Sequence, residues 1–263
     1  MAEEYPTAMI TGIDIALIQP KEYARKPANV ERVSKDMEEE RPFPDEYFDL
    51  IHLSLVHGCV ADWPPMMQRI KKHLAQGGYC EQQEWALGAP YSSTHYFYRW
   101  SRLIEEVGAK RDRPLHLGPH IVGFLRSASF ADIREEVYAV PLGSWPRDDE
   151  REKMIGSQMM MQTVSGMEGY TTVLFTTALG WSAEETAEFV EEVKREITDD
   201  GVHKICDFLV ACGIKEGGGK HEWRLAGNMT ARVWRTSGQE AGVAVVLGVA
   251  AVAIAVAYLS RRR

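Results

Sequence analysis

Short apolar runs alternate with longer amphipathic stretches along most of the chain. The short runs predict β-strands at residues 8–14, 30–35, 48–53, 79–85, 131–141 and 205–212. Apolar positions at helical spacing predict helices over 66–74 and 94–107, with further helical material between 151 and 197. Strands that alternate with helices favour an α/β fold with a mostly parallel sheet.

The C-terminal part breaks this alternation with one long apolar run. Residues Ala241 to Leu259 carry no charged side chain, and three arginines close the chain. A helix of this length roughly spans the hydrocarbon core of a bilayer, at about 1.5 Å per residue. We therefore expect a transmembrane helix over 241–259, a single-pass C-terminal anchor that leaves the main domain in the cytosol. The alternative is a buried core helix.

The stretch before this run has no sustained apolar period. It contains the consecutive glycines Gly217, Gly218 and Gly219, which are typical of a flexible tether. The expected organisation is therefore a main domain over 1–215, a linker over 216–240 and the membrane helix.

Composition narrows the function classes. Hydrophobic residues make up 45% and charged residues 26%, as in ordinary globular proteins. The formal net charge of −8 argues against nucleic acid as a partner, because binding its phosphates needs a basic face. The four cysteines lack metal-ligand spacing, so we expect reduced thiols and no metal site.

Acidic residues stand where the first two predicted strands end. In an open α/β sheet, ligands bind beyond the carboxyl ends of the strands. A carboxylate at Asp14 could accept both hydroxyls of a ribose, and Asp36 could accept from an adenine amino group while Met37 packs against the ring. The pattern alone leaves an ordinary alternative open, namely that both acids are turn or cap residues.

Three motifs in order carry a family resemblance. YPTAMITGIDIALIQP, NVERVSKDMEEERPFPDEYFDLIH and DWPPMMQRIKKHLAQGGYCEQQE resemble consecutive motifs of class I S-adenosylmethionine-dependent methyltransferases, and more narrowly those of the LaeA-like branch of filamentous fungi. Later segments are similar to the C-terminal half of that branch, so the resemblance covers about residues 1–215. It implies a Rossmann-like sheet and S-adenosyl-L-methionine as the cofactor.

The resemblance also assigns residues to the cofactor site. Six positions match those that family members use around the cofactor: Asp14, Gln19, Asp36, Met37, Ile51 and His52. It identifies no catalytic residue, and Ser54 stands where the family often has an arginine. From the sequence, His57 is expected at the surface or in packing, and Cys59 is expected to be a buried small residue.

One part of the family pattern is missing. Family members begin with a strand and a glycine-rich loop, and residues 1–7 supply neither. The expected fold is therefore a Rossmann-like class I methyltransferase sheet that lacks its first strand, plus the transmembrane helix. Three outcomes are open: the neighbouring strands close the gap, a partner fills it, or the chain is an incomplete product.

The leading functional hypothesis is methyl transfer to a small-molecule intermediate of fungal secondary metabolite biosynthesis. The expected partners are that acceptor and the membrane, and a homodimer or a protein partner is left open. The alternative is a catalytically inactive, membrane-tethered methyltransferase-like protein that regulates or binds. A misassigned start of a longer protein is a third alternative.

Overall fold

A seven-stranded sheet forms the centre of the protein. The computed structural model describes residues 2, 5–15, 27–39, 43–86, 95–146, 148–199, 201, 203–217 and 256–261. Its strands are β1 (Ala8–Asp14), β2 (Val30–Ser34), β3 (Phe48–Ser54), β4 (Leu74–Trp85), β5 (Ala131–Leu142), β6 (Lys204–Ile214) and β7 (Val256–Arg261). The six strands predicted from apolar runs are confirmed.

The strand order is β2-β1-β7-β3-β4-β6-β5. β1 pairs in parallel with β2, and β3 pairs in parallel with β4. β6 is antiparallel to β4 and β5, and β7 is antiparallel to β1 and β3. Strands β1 to β5 therefore all point one way, and their carboxyl ends meet at one edge of the sheet.

The helices are α1 (Trp63–His73), α2 (His95–Lys110), α3 (Ile121–Ser127), α4 (Glu150–Ala178) and α5 (Ala183–Ile197), with a 3-10 turn over Gly118–His120. A proline in its first turn opens α1, where the missing N–H costs nothing. The Ser182 side chain and Glu185 form a reciprocal capping box at the start of α5.

Two apolar layers cover the two faces of the sheet. On one face, Ile51, Leu53 and Cys80 belong to a core cluster that contains buried residues of α1 and α3. On the other face, Trp85 and Phe208 belong to a cluster built with α2, α4 and α5. Side chains alternate between the faces along each strand, so neighbours in sequence enter different layers.

The expectation that the sheet lacks a central strand is wrong. β7 lies between β1 and β3, with Tyr258 in register with Thr11 on one side and Ile51 on the other. Without a strand there, two neighbours in the middle of the sheet would each carry unpaired backbone groups, which cost about 1–3 kcal/mol apiece when buried. The C-terminal segment of this same chain supplies the missing hydrogen-bonding partner.

The strand β7 also shows that the predicted transmembrane helix, and with it the single-pass membrane anchor, is wrong. Residues 256–259, the last part of the predicted span, form strand and not helix. Within the described ranges, none of the helices has both the length and the apolar character to cross a membrane. Alanine contributes little to membrane insertion, and valine favours strands, so an apolar run of this composition also suits a central strand. Residues 241–255 lie outside the described part.

The domain limits stay a prediction. The main-domain strand β6 ends at Ile214, close to the predicted limit of 215. The predicted linker lies outside the described residues from 218 onward.

Candidate functional site

Two predicted acids meet at the carboxyl edge of the sheet. Asp14 ends β1 and is in register with Ser34, the last residue of the adjoining β2. The backbone N–H of Lys35 donates to the Asp14 carbonyl at 3.0 Å, so Asp36 follows directly on the neighbouring strand end. The two residues therefore stand at adjoining strand ends, as parallel pairing predicts, and their role in binding a cofactor stays a prediction.

The loop after β2 is tied to the loop after β3. Asp36 Oδ1 accepts from the Glu38 backbone N–H at 2.8 Å. The Glu38 carboxylate accepts from the Ala61 N–H at 2.8 Å and pairs with Arg113 Nη1 at 2.7 Å. Arg69 also donates to the Glu38 carbonyl. These contacts fix the position of Asp36 relative to the end of β3.

The charges of these acids affect the pKa of the Cys59 thiol. Burial, followed by the negative charges of Glu84, Asp14 and Asp36, raises the pKa of Cys59 to about 12, against the lowering effect of Arg113. Arg113 Nη1 also donates to the Cys59 carbonyl at 2.7 Å and pairs with Glu38, and the Val56 N–H donates to Glu84, so the loop after β3 contacts both the loop after β2 and the end of β4. Cys59 is only partly buried.

Two other predicted residues lie beneath this edge. Met37 is 4% exposed and Ile51 is fully buried, and both belong to the same apolar cluster as Ile13. Both side chains pack into the core beneath this edge. Gln19, also predicted here, lies outside the described residues.

His52 enters the opposite layer from Ile51. Its Nδ1 lies 2.8 Å from Glu81 Oε1, and Gln83 Nε2 donates to the same oxygen at 3.2 Å. His52 and Glu81 are directly opposite in the parallel ladder of β3 and β4. The structure therefore places His52 in a pair within the sheet.

Sequence reasoning missed a second histidine–glutamate pair. Glu84 is fully buried near the end of β4, where its Oε1 accepts from the Val56 N–H at 2.8 Å. Its Oε2 lies 3.5 Å from His57 Nδ1. The ring of Tyr170, from α4, meets the His57 ring edge-on at 6.3 Å between centroids. The sequence signal was present: a polar run, Glu81 to Glu84, inside a strand buried on both faces.

Tyr170 brings an unsatisfied hydroxyl to this group. Its Oη is inaccessible to solvent and has no hydrogen-bond partner among the described residues. Burial, then the charges of Cys59 and Glu84, raise the pKa of Tyr170 well above its usual range. The phenol is therefore neutral and can donate a hydrogen bond.

The residues at this edge fit an adenosine-containing cofactor. Two carboxylates at adjacent strand ends can accept from ribose hydroxyls and from an amino group, and an apolar floor lies beneath them. A separate surface groove along α5, lined by Arg99, Trp181 and Phe189 among others, contains none of these residues.

Comparison with known proteins shows to which class of protein this chain belongs. A model of the methyltransferase domain family matches residues 1–120. Methyltransferase pytC of Aspergillus terreus is 33% identical over 223 residues, which cover 82% of this chain and 67% of the relative. The secondary metabolism regulator laeA of Monascus pilosus is 26% identical over 209 residues, covering 77% of this chain and 56% of the regulator.

Among solved structures, phosphoethanolamine N-methyltransferase 2 of Haemonchus contortus, in complex with S-adenosyl-L-methionine, is 16% identical with a TM-score of 0.46. The match covers 79% of this chain and 43% of that one. The fold and the family match define a class I methyltransferase with a Rossmann-like sheet, for which S-adenosyl-L-methionine is the cofactor. Within that class, this chain belongs to the family of LaeA-like fungal methyltransferases.

Proposed function

We propose that this chain transfers a methyl group from S-adenosyl-L-methionine to a small-molecule intermediate of fungal secondary metabolism. The observation that carries the proposal is the placement of Asp14 and Asp36 at adjoining strand ends, with Asp36 tied through Glu38 to the loop after β3. The relatives support the setting, because several of them are named as regulators of secondary metabolism.

Each predicted residue takes a role that its surroundings allow. Asp14 accepts from the ribose hydroxyls, and Asp36 accepts from the adenine amino group. Met37 and Ile51 form the apolar floor beneath them, and His52, paired with Glu81, stabilises the strand pair from the other layer. Gln19 remains a prediction from the family pattern.

When bound, the cofactor supplies a methyl group on a positively charged sulfur, which is already activated for transfer. The protein therefore contributes mainly alignment of the acceptor, together with removal of any acceptor proton. The fixed loops around Glu38 and Arg113 serve this alignment by holding the edge in one arrangement.

The relatives that are regulators of secondary metabolism favour a second candidate. LaeA of Monascus pilosus is named as a regulator, so this chain could instead regulate without turning over a metabolite. The two candidates differ in where a labelled methyl group goes. Label in the organic extract after incubation with fungal metabolites supports small-molecule transfer, and label confined to protein, or none, supports regulation.

Cofactor binding is the first test, and it requires the full chain because residues 256–261 are part of the sheet. We expect calorimetric titration to give micromolar affinity for S-adenosylmethionine or S-adenosylhomocysteine, roughly −8 kcal/mol. Asp14→Asn and Asp36→Asn should each weaken binding about tenfold or more, because each removes a charge-assisted hydrogen bond.

The matched control is Asp148→Asn, at an exposed position before α4. Its affinity should equal that of the native chain. A folded native chain that binds neither compound would contradict the proposal.

A further inference from the structure

The group formed by His57, Glu84 and Tyr170 has features that packing does not explain. Glu84 is fully buried, and its Oε2 has no hydrogen-bond partner within the described part of the chain; His57 Nδ1 lies 3.5 Å from it, at ion-pair distance. A buried carboxylate is costly unless it is paired and hydrogen-bonded. The Val56 N–H satisfies one oxygen, which leaves the other to act on the histidine.

The carboxylate of Glu84 favours the form of neutral His57 that carries its proton on the facing Nδ1. The two atoms lie 3.5 Å apart without forming a hydrogen bond, and a carboxylate oxygen attracts an N–H and repels a nitrogen lone pair. Nε2 of the neutral ring then keeps its lone pair and can take up a proton. The nearby carboxylate also stabilises the imidazolium that results. Separations of this length between catalytic groups commonly shorten when substrate binds.

Tyr170 completes the group from a distant part of the chain. Its ring meets the edge of His57, and its hydroxyl is buried without a partner among the described residues. An unsatisfied buried hydroxyl costs about 1–3 kcal/mol. A ligand that accepts a hydrogen bond at this point would remove that cost.

Arg113 links this group to the proposed cofactor site. Its Nη1 donates to the carbonyl of Cys59, two residues after His57, at 2.7 Å, and it pairs with Glu38, whose N–H donates to Asp36. The acids of the proposed cofactor site and the His57–Glu84 pair therefore share one edge of the sheet. An acceptor held against His57 would lie beside the proposed cofactor site.

We propose that His57 is the general base that deprotonates a hydroxyl acceptor, held by Glu84, while the Tyr170 hydroxyl positions the acceptor oxygen. This inference rests on the proposed methyltransferase function and names its substrate class. The O–H proton passes to His57 Nε2, and an oxygen lone pair forms the new bond to the methyl carbon. The carbon–sulfur bond breaks with its electron pair left on sulfur, and His57 later releases the proton to water.

The presence of a base favours a hydroxyl over an amine. A neutral amine is already a good nucleophile, whereas a neutral hydroxyl is a poor one and gains most from losing its proton as it attacks. General-base assistance of this kind contributes about 10²–10⁴-fold.

A first experiment reads the protonation of His57 without any cofactor. The full chain is labelled with ¹⁵N-histidine, and His57→Gln identifies the His57 signal in long-range proton–nitrogen spectra. We expect the neutral ring to carry its proton on Nδ1. Glu84→Gln should weaken that preference, and Glu81→Gln, the matched control, should leave the signal unchanged. A neutral ring protonated on Nε2 would overturn the proposal.

A second experiment compares two phenols as probes. Pentafluorophenol is already ionised at neutral pH, and 4-methylphenol is not. His57→Gln should lower kcat/KM for 4-methylphenol about 100-fold, with a much smaller loss for pentafluorophenol and unchanged cofactor affinity. Equal losses for both phenols, or a native chain that binds cofactor but methylates neither, would overturn the assignment of a hydroxyl acceptor.

Tyr170→Phe gives an independent check, should His57→Gln fail to fold. Loss of one neutral hydrogen bond should raise KM for 4-methylphenol about fivefold with little change in kcat. Stability should not fall, because the hydroxyl has no partner in the described structure. Unchanged KM would count against the positioning role. Failure of cofactor binding itself would instead contradict the proposed function.

Discussion

Two histidine–glutamate pairs connect β3 and its following loop to β4, and they differ in what surrounds them. His52 Nδ1 lies 2.8 Å from Glu81, and His57 Nδ1 lies 3.5 Å from Glu84. The exposed fractions are nearly the same, at 14% and 17% for the histidines and 3% and 1% for the glutamates. Residue type and burial therefore do not distinguish the pairs.

The residues around each pair distinguish them. His52 and Glu81 are opposite each other in the ladder, and Gln83 donates a further hydrogen bond to Glu81. His57 belongs to a loop at the edge, next to Tyr170 with its unsatisfied hydroxyl. The His52–Glu81 pair, which is hydrogen-bonded within the ladder, stabilises the sheet. The His57–Glu84 pair lies beside a hydroxyl without a partner in the described structure, so it can act on a ligand.

The largest effect should come from breaking the first pair. His52→Leu leaves Glu81 as a buried charge without its histidine, which should lower the free energy of unfolding by about 3 kcal/mol. Urea denaturation of the full chain measures this. The double variant His52→Leu/Glu81→Leu should recover most of the loss, because it removes both polar groups. A double variant less stable than the single one would show that the pair itself is needed.

Breaking the second pair, His57–Glu84, should lower the rate of methyl transfer. Glu84→Gln removes the charge that stabilises protonated His57, so kcat for 4-methylphenol should fall about 10–100-fold. Steady-state kinetics at saturating cofactor measure the change. Glu81→Gln, which changes the other carboxylate in the same way, should lower kcat far less. A larger rate loss in Glu81→Gln would reverse the roles of the two pairs.

Between the two glutamates, Gln82 tests the cost of unsatisfied polar groups. It is fully buried, and neither atom of its amide group has a partner in the described structure. Its neighbours across the strands are Leu53 and Ala211. Gln82→Met should therefore raise the free energy of unfolding by about 1–2 kcal/mol. A loss of stability in urea would show that the amide has a partner, such as a water molecule.

The alkylation rate of Cys59 should show that the charge of Glu84, and not that of Glu81, acts on this thiol. Burial and then the charge of Glu84 raise the pKa of this thiol, so Glu84→Gln should speed its reaction with iodoacetamide severalfold. Mass spectrometry of the modified peptide gives the rate. Glu81→Gln should leave that rate unchanged, because the charge of Glu81 acts on Cys80 and Cys212.

The stability of the native chain should also depend on alkaline pH. The pKa of Cys59 rises from an ordinary 9.0 to about 12 on folding, chiefly through burial. The unfolded chain therefore loses this proton first, and stability present below pH 9.0 should fall as the pH rises toward 12. Urea midpoints measured across this range should decline less steeply in Cys59→Ala. An equal decline in both would assign the effect to other groups.

Local pattern was enough to predict most elements and part of the site. Apolar runs of strand length predicted β1 almost to the residue, and the acids at two strand ends led to Asp14 and Asp36. Such features depend on neighbours in sequence and on the rule that parallel strands share a carboxyl edge. The same reasoning placed His57 at the surface or in packing, because nothing local shows what a side chain meets across the fold.

The sequence by itself determined six of the seven strands in the described part of the chain, the acids at the strand ends and the family. Only the tertiary structure decided how the apolar C-terminal run is used and which polar groups come together. The run Ala241 to Leu259 suits a membrane helix or a central strand equally well by composition, and the open hydrogen-bonding edges of β1 and β3 select the strand for its last residues. His57, Glu84 and Tyr170 come from three separate segments, and their meeting depends on packing between residues far apart in the chain.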